Sequence, residues 1–224
     1  MQIAHIVAEF TGYLRRMALL NPILAVATAS FLSVAQPTNT AEWSPNPEDV
    51  ARLAPKGASI GLRLVVSPEG KVVQCTAEGD TALDKWICAR ALSKARFKPA
   101  TNLEGQATFG VFEMGMRFSV PGFDLPSRSA KALWSVESDT LPDSVRTSAM
   151  FTMAILVTSN GVIAQCKPQR WEPALPNDLA LQLGERACGE LENNYKPEPA
   201  RLANGEVVDS VHRIIFQFKK PVPS

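Results

Sequence analysis

Ile60-Gly-Leu-Arg-Leu-Val-Val-Ser-Pro-Glu-Gly70 and Phe151-Thr-Met-Ala-Ile-Leu-Val-Thr-Ser-Asn-Gly161 are two versions of one pattern. Laid over each other at a constant offset, Ile60, Leu62, Leu64 and Val66 fall on Phe151, Met153, Ile155 and Val157. Period two puts each set on one face of a strand. Each strand runs into a turn, Ser67-Pro-Glu-Gly70 or Ser159-Asn-Gly161, and a returning strand follows, Lys71-Val-Val-Gln-Cys75 or Val162-Ile-Ala-Gln-Cys166. Both stretches therefore read as β-hairpins. The shared Gln-Cys ending keeps the same offset, and a repeat that holds its register over two strands marks a duplication.

The likeness continues outward. Asp80-Thr-Ala-Leu-Asp-Lys-Trp-Ile-Cys-Ala-Arg-Ala-Leu-Ser-Lys94 reads as a helix, with Asp80 or Thr81 as its cap and Leu83, Ile87 and Ala91 along one side. Its counterpart runs from near Asn177 to near Glu192, with Leu181, Gly184, Cys188 and Leu191 recurring at spacings of three and four, and Pro173 and Pro176 confine the extra residues to the loop before it. Proline ends both helices, in Arg96-Phe-Lys-Pro-Ala100 and Tyr195-Lys-Pro-Glu-Pro-Ala200, and a glycine turn follows, at Gly105 and Gly205. The last strands are residues 108–118, with Phe112, Met114, Met116 and Phe118 on one face, and residues 208–218, with Ile214, Phe216 and Phe218. The expected fold class is α+β: two tandem ββαβ units, each a three-stranded antiparallel sheet with one helix packed across it. A short helix precedes the first unit at Asn46-Pro-Glu-Asp-Val-Ala-Arg-Leu53, and Leu141-Pro-Asp-Ser-Val145 echoes it. Residues 121–130 are rich in Pro, Gly and Ser, so the units fall at residues 44–121 and 136–221, with a linker over 122–135.

With 224 residues, 46% hydrophobic and 20% charged, the composition is that of a globular protein, neither collagenous nor wholly disordered. Lys and Arg number 23 against 22 Asp and Glu, which supplies no basic field to hold nucleic acid. The N-terminus is different in character. Arg15 and Arg16 stand immediately before residues 17–41, which carry no charge, and Ser33 and Ala35 are small residues placed for a cut before Gln36. That is the order of an export signal, over residues 1–35. The alternative is an uncleaved anchor, because residues 17–35 have about the length a bilayer requires, although Asn21 and Pro22 weaken the span. Either way the remainder faces an oxidising compartment, and contact with a membrane is expected only if the segment is uncleaved.

Cys75 ends the second strand and Cys88 lies on the following helix; Cys166 and Cys188 occupy the same two elements of the other half. Cys75 shares parity with Val73 and faces the helix, so the expected disulfides are Cys75 with Cys88 and Cys166 with Cys188. Each closed loop stabilises a small domain by roughly 3 kcal/mol in the chain-entropy model. Four free thiols would instead require a reducing location. His212 shares parity with Ile214 and Phe216 and reads as a core or edge histidine, Trp86 as a packing residue, and Asp84 and Asp178 as first-turn carboxylates that complement helix dipoles. No Gly-x-Ser-x-Gly elbow, phosphate loop or His-Glu-x-x-His is present. No catalytic residue, cofactor site or metal site is expected.

Gly70, Leu83-Asp84, Phe97-Lys-Pro-Ala100, Gly105 and Phe118 follow one another as do the landmarks of the C-terminal domain of TonB-type energy transducers, and the first repeat resembles that family over residues 60–118. The second repeat fits at Gly161, Tyr195, Pro197, Gly205 and Phe218 but starts its helix with Asn177-Asp178-Leu179. A variant of the family with cysteine on the second strand and the helix is similar to both halves. The resemblance implies a periplasmic protein-binding module that engages an envelope or outer-membrane transporter protein by pairing an extended segment with a sheet edge. It implies partner contact along the final strands, where the positions opposite the core are Val111, Glu113 and Arg117 in one repeat and Val211 and Arg213 in the other. The alternative activity is that of a membrane-anchored energy transducer for siderophore or vitamin uptake; against it, no long Pro-rich spacer separates the apolar segment from the first expected helix.

Overall fold

The computed structural model describes residues 32–79, 82–120, 133–143, 145 and 147–221. The chain is α+β. It opens with β1 (Gln36–Pro37) and two short helices, α1 (Thr40–Trp43) and α2 (Pro47–Leu53). A hairpin follows, β2 (Ala58–Val66) and β3 (Val72–Glu78), then α3 (Ala82–Lys94), two short strands, β4 (Phe97–Lys98) and β5 (Ala100–Thr101), and the long β6 (Ala107–Phe118). After β7 (Leu133–Glu137) the pattern returns as β8 (Ser148–Val157), β9 (Ile163–Glu172), α4 (Asn177–Asn194), the short β10 (Ala200–Arg201) and β11 (Val207–Val208), and β12 (Ser210–Lys219).

Local chemistry accounts for the boundaries. The Asn46 side chain accepts a hydrogen bond from the Asp49 N–H and so caps α2, whose first residue is Pro47. Gly70 (φ 75°) and Gly161 (φ 76°) close the two hairpins in the left-handed region, and a Cβ on Gly70 would run into the carbonyl oxygen of Phe97. The core face of α3 is Leu83, Ile87 and Ala91, all fully buried. The buried residues of α4 are Ala180, Leu183, Gly184, Ala187 and Leu191. Leu181, expected on that face, is 56% exposed, because the true stripe starts one residue earlier and Leu181 lies about 100° around the helix from it. Asp80 and Thr81, the expected caps of α3, lie outside the described residues, as do residues 122–132 of the expected linker. Residues 133–135, at the end of that segment, already belong to β7, which pairs in parallel with β12. The echo at Leu141 and Val145 is a turn, with the Val145 N–H donating to the Pro142 carbonyl and both apolar side chains buried.

The strands join in one sheet in the order β3-β2-β6-β12-β8-β9, with β5 and β7 attached beside the path. Two separate three-stranded sheets were the expectation. They are continuous because β6 and β12 each carry an apolar residue on the face away from their own helix, Val111 and Val211, and lying side by side buries both. The joint is parallel: Ser210, Val211 and His212 face Phe109, Gly110 and Val111. Directly paired residues share a face. Gly110 has the parity of Phe112, which packs in the core under α3, so Val211 opposite it enters that same core. His212 has the parity of Ile214 and Phe216, which belong to the core under α4. The two helices therefore cover opposite faces of the shared sheet.

One core lies between β2, β3, β6 and α3 and includes Ile60, Leu62, Leu64, Leu83 and Ile87; the other holds Phe151, Met153, Ile155, Leu183, Phe216 and Phe218. A third, small cluster joins the halves, with Ala200 packed on Val65 and Val111. Each helix is tied to its hairpin by sulfur: Cys75–Cys88 and Cys166–Cys188, with Cα separations of 5.5 and 5.6 Å. The segment before β1 belongs to the first core. Leu32 is 0% and Ala35 4% exposed, and the Ser33 and Thr101 backbones exchange two hydrogen bonds of 3.0 Å.

Candidate ligand-binding groove

With α3 on one face of β2, β3 and β6, the other face of these strands is left to solvent along part of its length. Three cross-strand rows form it. Thr76, Arg63 and Glu113 lie side by side; so do Gln74, Val65 and Val111; and so do Glu78, Gly61 and Gly115. The last row has no side chain at two of its three places, which makes a trough. Beyond Val111 the wall is the proline-bearing segment after α4, where Glu198, Pro199, Arg201 and Leu202 stand up beside the sheet. The result is a groove of about 600 Å³. The matching row of the second half is Arg170, Thr152 and Ile215, with no glycine, so the trough belongs to the first half alone.

Arg63 organises the floor. Its guanidinium donates to Glu113 Oε1 at 2.5 Å and to the Glu198 carbonyl oxygen at 3.0 Å, which ties β2 to β6 and to the other half of the chain. A second hollow of about 250 Å³ adjoins it, lined by Arg63, Glu113, Tyr195, Glu198 and His212. Desolvation, and then the Glu113 carboxylate, push the Tyr195 phenol above its ordinary pKa. Burial, and then the Arg63 charge, press the His212 imidazole down to about 3, so it is neutral at physiological pH. Its Nε2 lies 2.8 Å from Ser210 Oγ. Both residues are buried, which makes this pair a satisfied piece of the joint between the halves. Among the described residues no group of three His, Cys, Asp or Glu is placed to hold a metal ion.

The expected contact residues separate on inspection. Val111 (2% exposed) and Val211 (0% exposed) are spent on the joint between the halves and are closed to a partner. Glu113 is in the groove floor, paired with Arg63. Arg117 and Arg213 are exposed. The final strands were expected at sheet edges; near their starts they lie at the centre, because each is the other's neighbour. Gln74, Thr76, Glu78 and Gly61, which line the groove, are not among the residues expected from sequence. The available signal was Arg63, a charge in the middle of an otherwise apolar strand whose partners on the same face are Thr76 and Glu113.

No protein-family model, curated protein or solved structure matches the chain.

Proposed function

We propose that the chain is a periplasmic, non-enzymatic binding module of the TonB C-terminal type, built of two ββαβ units that share a sheet, and that it takes an extended segment of an envelope or outer-membrane transporter protein as an added strand. The observation that carries this reading is the contrast between the two outer strands. β9 is protected in the way edge strands usually are: it carries Lys167, Pro168 and Arg170, and its register shifts by a bulge between Thr152 and Met153. β3 runs Val72-Val-Gln-Cys-Thr-Ala-Glu78, with no Lys, Arg or Pro, and among the described residues it pairs with β2 alone. Apart from one register shift beside the turn, between Val65 and Val66, its pairing is regular, and an edge without Lys, Arg or Pro is a template for another strand. The groove lies on the face of that same edge, so alternate side chains of an added strand would enter it beside Gln74, Thr76 and Glu78.

Two disulfides agree with an oxidising compartment, and no described helix is long and apolar enough to cross a membrane. The reading is tested by a photoreactive amino acid at Thr76, which is exposed on β3, against one at Arg170 on β9, in cells of the native host. Position 76 is expected to crosslink to an outer-membrane or envelope protein through an extended segment of it, and position 170 is not. Crosslinks at 170 alone, or none at 76, would refute edge pairing at β3.

A further inference from the structure

Residues Leu32 to Ala35 present a conflict. A leader cut before Gln36 would remove them, yet the fold uses every one. Leu32 and Ala35 are buried in the first core, and Val34 packs against it. Ser33 exchanges backbone hydrogen bonds with Thr101, and its hydroxyl lies 2.8 Å from that of Thr101. The Leu32 carbonyl accepts a hydrogen bond of 2.7 Å from the Gln169 side chain, which belongs to the other half. Gly110, on the central strand β6, has no room for a Cβ because Ala35 and Ala100 already fill the place. Whether a truncation is tolerated follows from the burial and hydrogen bonding of what it removes. A chain beginning at Gln36 would open a hole in the first core, leave Thr101 and Gln169 without these partners, and shorten the segment that closes over Gly110.

We propose that the mature chain begins at Ser30, released by a membrane-bound signal peptidase that hydrolyses the Ala29–Ser30 bond. The inference rests on the exported character given above. Ala27-Thr28-Ala29 puts small residues at both positions such an enzyme reads, and Thr28 is the first polar residue after Asn21, so the site follows the apolar run instead of interrupting it. The apolar run after Arg16 then has about ten residues, inside the usual range of about 7 to 15. Water adds across the peptide bond: Ala29 leaves with a carboxylate and Ser30 gains a free α-amino group, with no oxidant or reductant involved. Leu32 and everything after it stay with the folded protein.

The test is the intact mass, without reduction, of the full-length chain expressed in a Gram-negative host and purified from its envelope. The expected mass is that of a chain starting at Ser30, less the hydrogens lost in two disulfides. A mass starting at Gln36, or an uncut chain with both disulfides formed, overturns the site while leaving export intact. An uncut chain with free thiols overturns the exported reading as well. Ala29→Leu is expected to leave an uncut precursor, and unchanged processing overturns the proposal. As a check independent of processing, a chain exported by a foreign leader and starting at Gln36 is expected to be digested by trypsin about tenfold faster than one starting at Ser30, since cleavage follows the population of the open form. Equal resistance overturns the argument from the core.

Discussion

Gly110 occupies a place where a methyl group would sit 2.8 Å from the Cβ of Ala35 and 3.0 Å from that of Ala100. Both neighbours are buried, so neither can swing aside. Gly110→Ala is expected to lower stability by about 1–3 kcal/mol, the usual cost of overpacking, read as a shift of the urea midpoint with an unchanged slope. Ala35→Gly in that background is expected to restore part of the loss, because the two methyl groups compete for one space. Additive losses would mean that Ala35 does not lie on Gly110. At His212 the argument is one of pH. The ordinary imidazole pKa is 6.5 and the buried value is about 3, so the unfolded chain binds a proton that the folded chain refuses. Its contribution is present above pH 6.5 and lost as pH falls from there toward 3. His212→Gln is expected to flatten the stability curve in that window by about one proton, with Arg63 the charge that faces the ring. An unchanged curve would place the titration elsewhere.

Among the elements, the hairpins and helices were legible because the sequence repeats their patterns: period two in β2 and β8, period 3.6 in α3, and cysteines on matching elements. In α4 the expected Gly184 and Leu191 are buried, whereas Ala180 and Ala187 take the places expected of Leu181 and Cys188, because Leu181 is apolar yet outward. Small alanines carry less hydrophobic signal than a leucine, and the close approach of Pro168 is what requires a glycine at 184. β7 was not legible, since its pairing with β12 depends on a neighbour far away in sequence. The disulfides make a prediction at this scale. Their sequence separations are 13 and 22, so the chain-entropy model assigns each about 3 kcal/mol, the second a few tenths more. Replacing Cys75 and Cys88 together by alanine, and Cys166 and Cys188 together in a second variant, is expected to produce nearly equal losses in denaturant midpoint. A negligible loss for either pair would show that its helix is held by packing alone.

In the whole molecule, the joint between the halves is the part that sequence could not show. Strand parity places Val111 and Val211 outward because each is opposite the core of its own half, which is true of a single unit. In the pair, each outward face becomes an inward one, since the halves share a sheet and carry their helices on opposite sides. The groove is not legible in the sequence for the same reason: its floor is the hairpin and last strand of the first half and its wall is the segment after α4 of the second. This arrangement predicts that the protein unfolds as one body. The four tryptophans report on both halves, Trp43 and Trp86 on the first core, Trp134 and Trp171 on the second. Replacing Trp43 by phenylalanine breaks no indole hydrogen bond, because its buried N–H has no acceptor among the described residues. With Trp43 and Trp86 replaced by phenylalanine in one variant, and Trp134 and Trp171 in another, fluorescence follows each half by itself. Val211→Asp is then the decisive substitution. The residue belongs to β12 of the second half but is buried in the core of the first, where an unpaired carboxylate costs roughly 3 kcal/mol or more. It is expected to lower the midpoint read by the first-half tryptophans and the second-half tryptophans equally. A drop confined to Trp134 and Trp171 would mean that the halves fold independently and that the central pairing of β6 with β12 couples nothing.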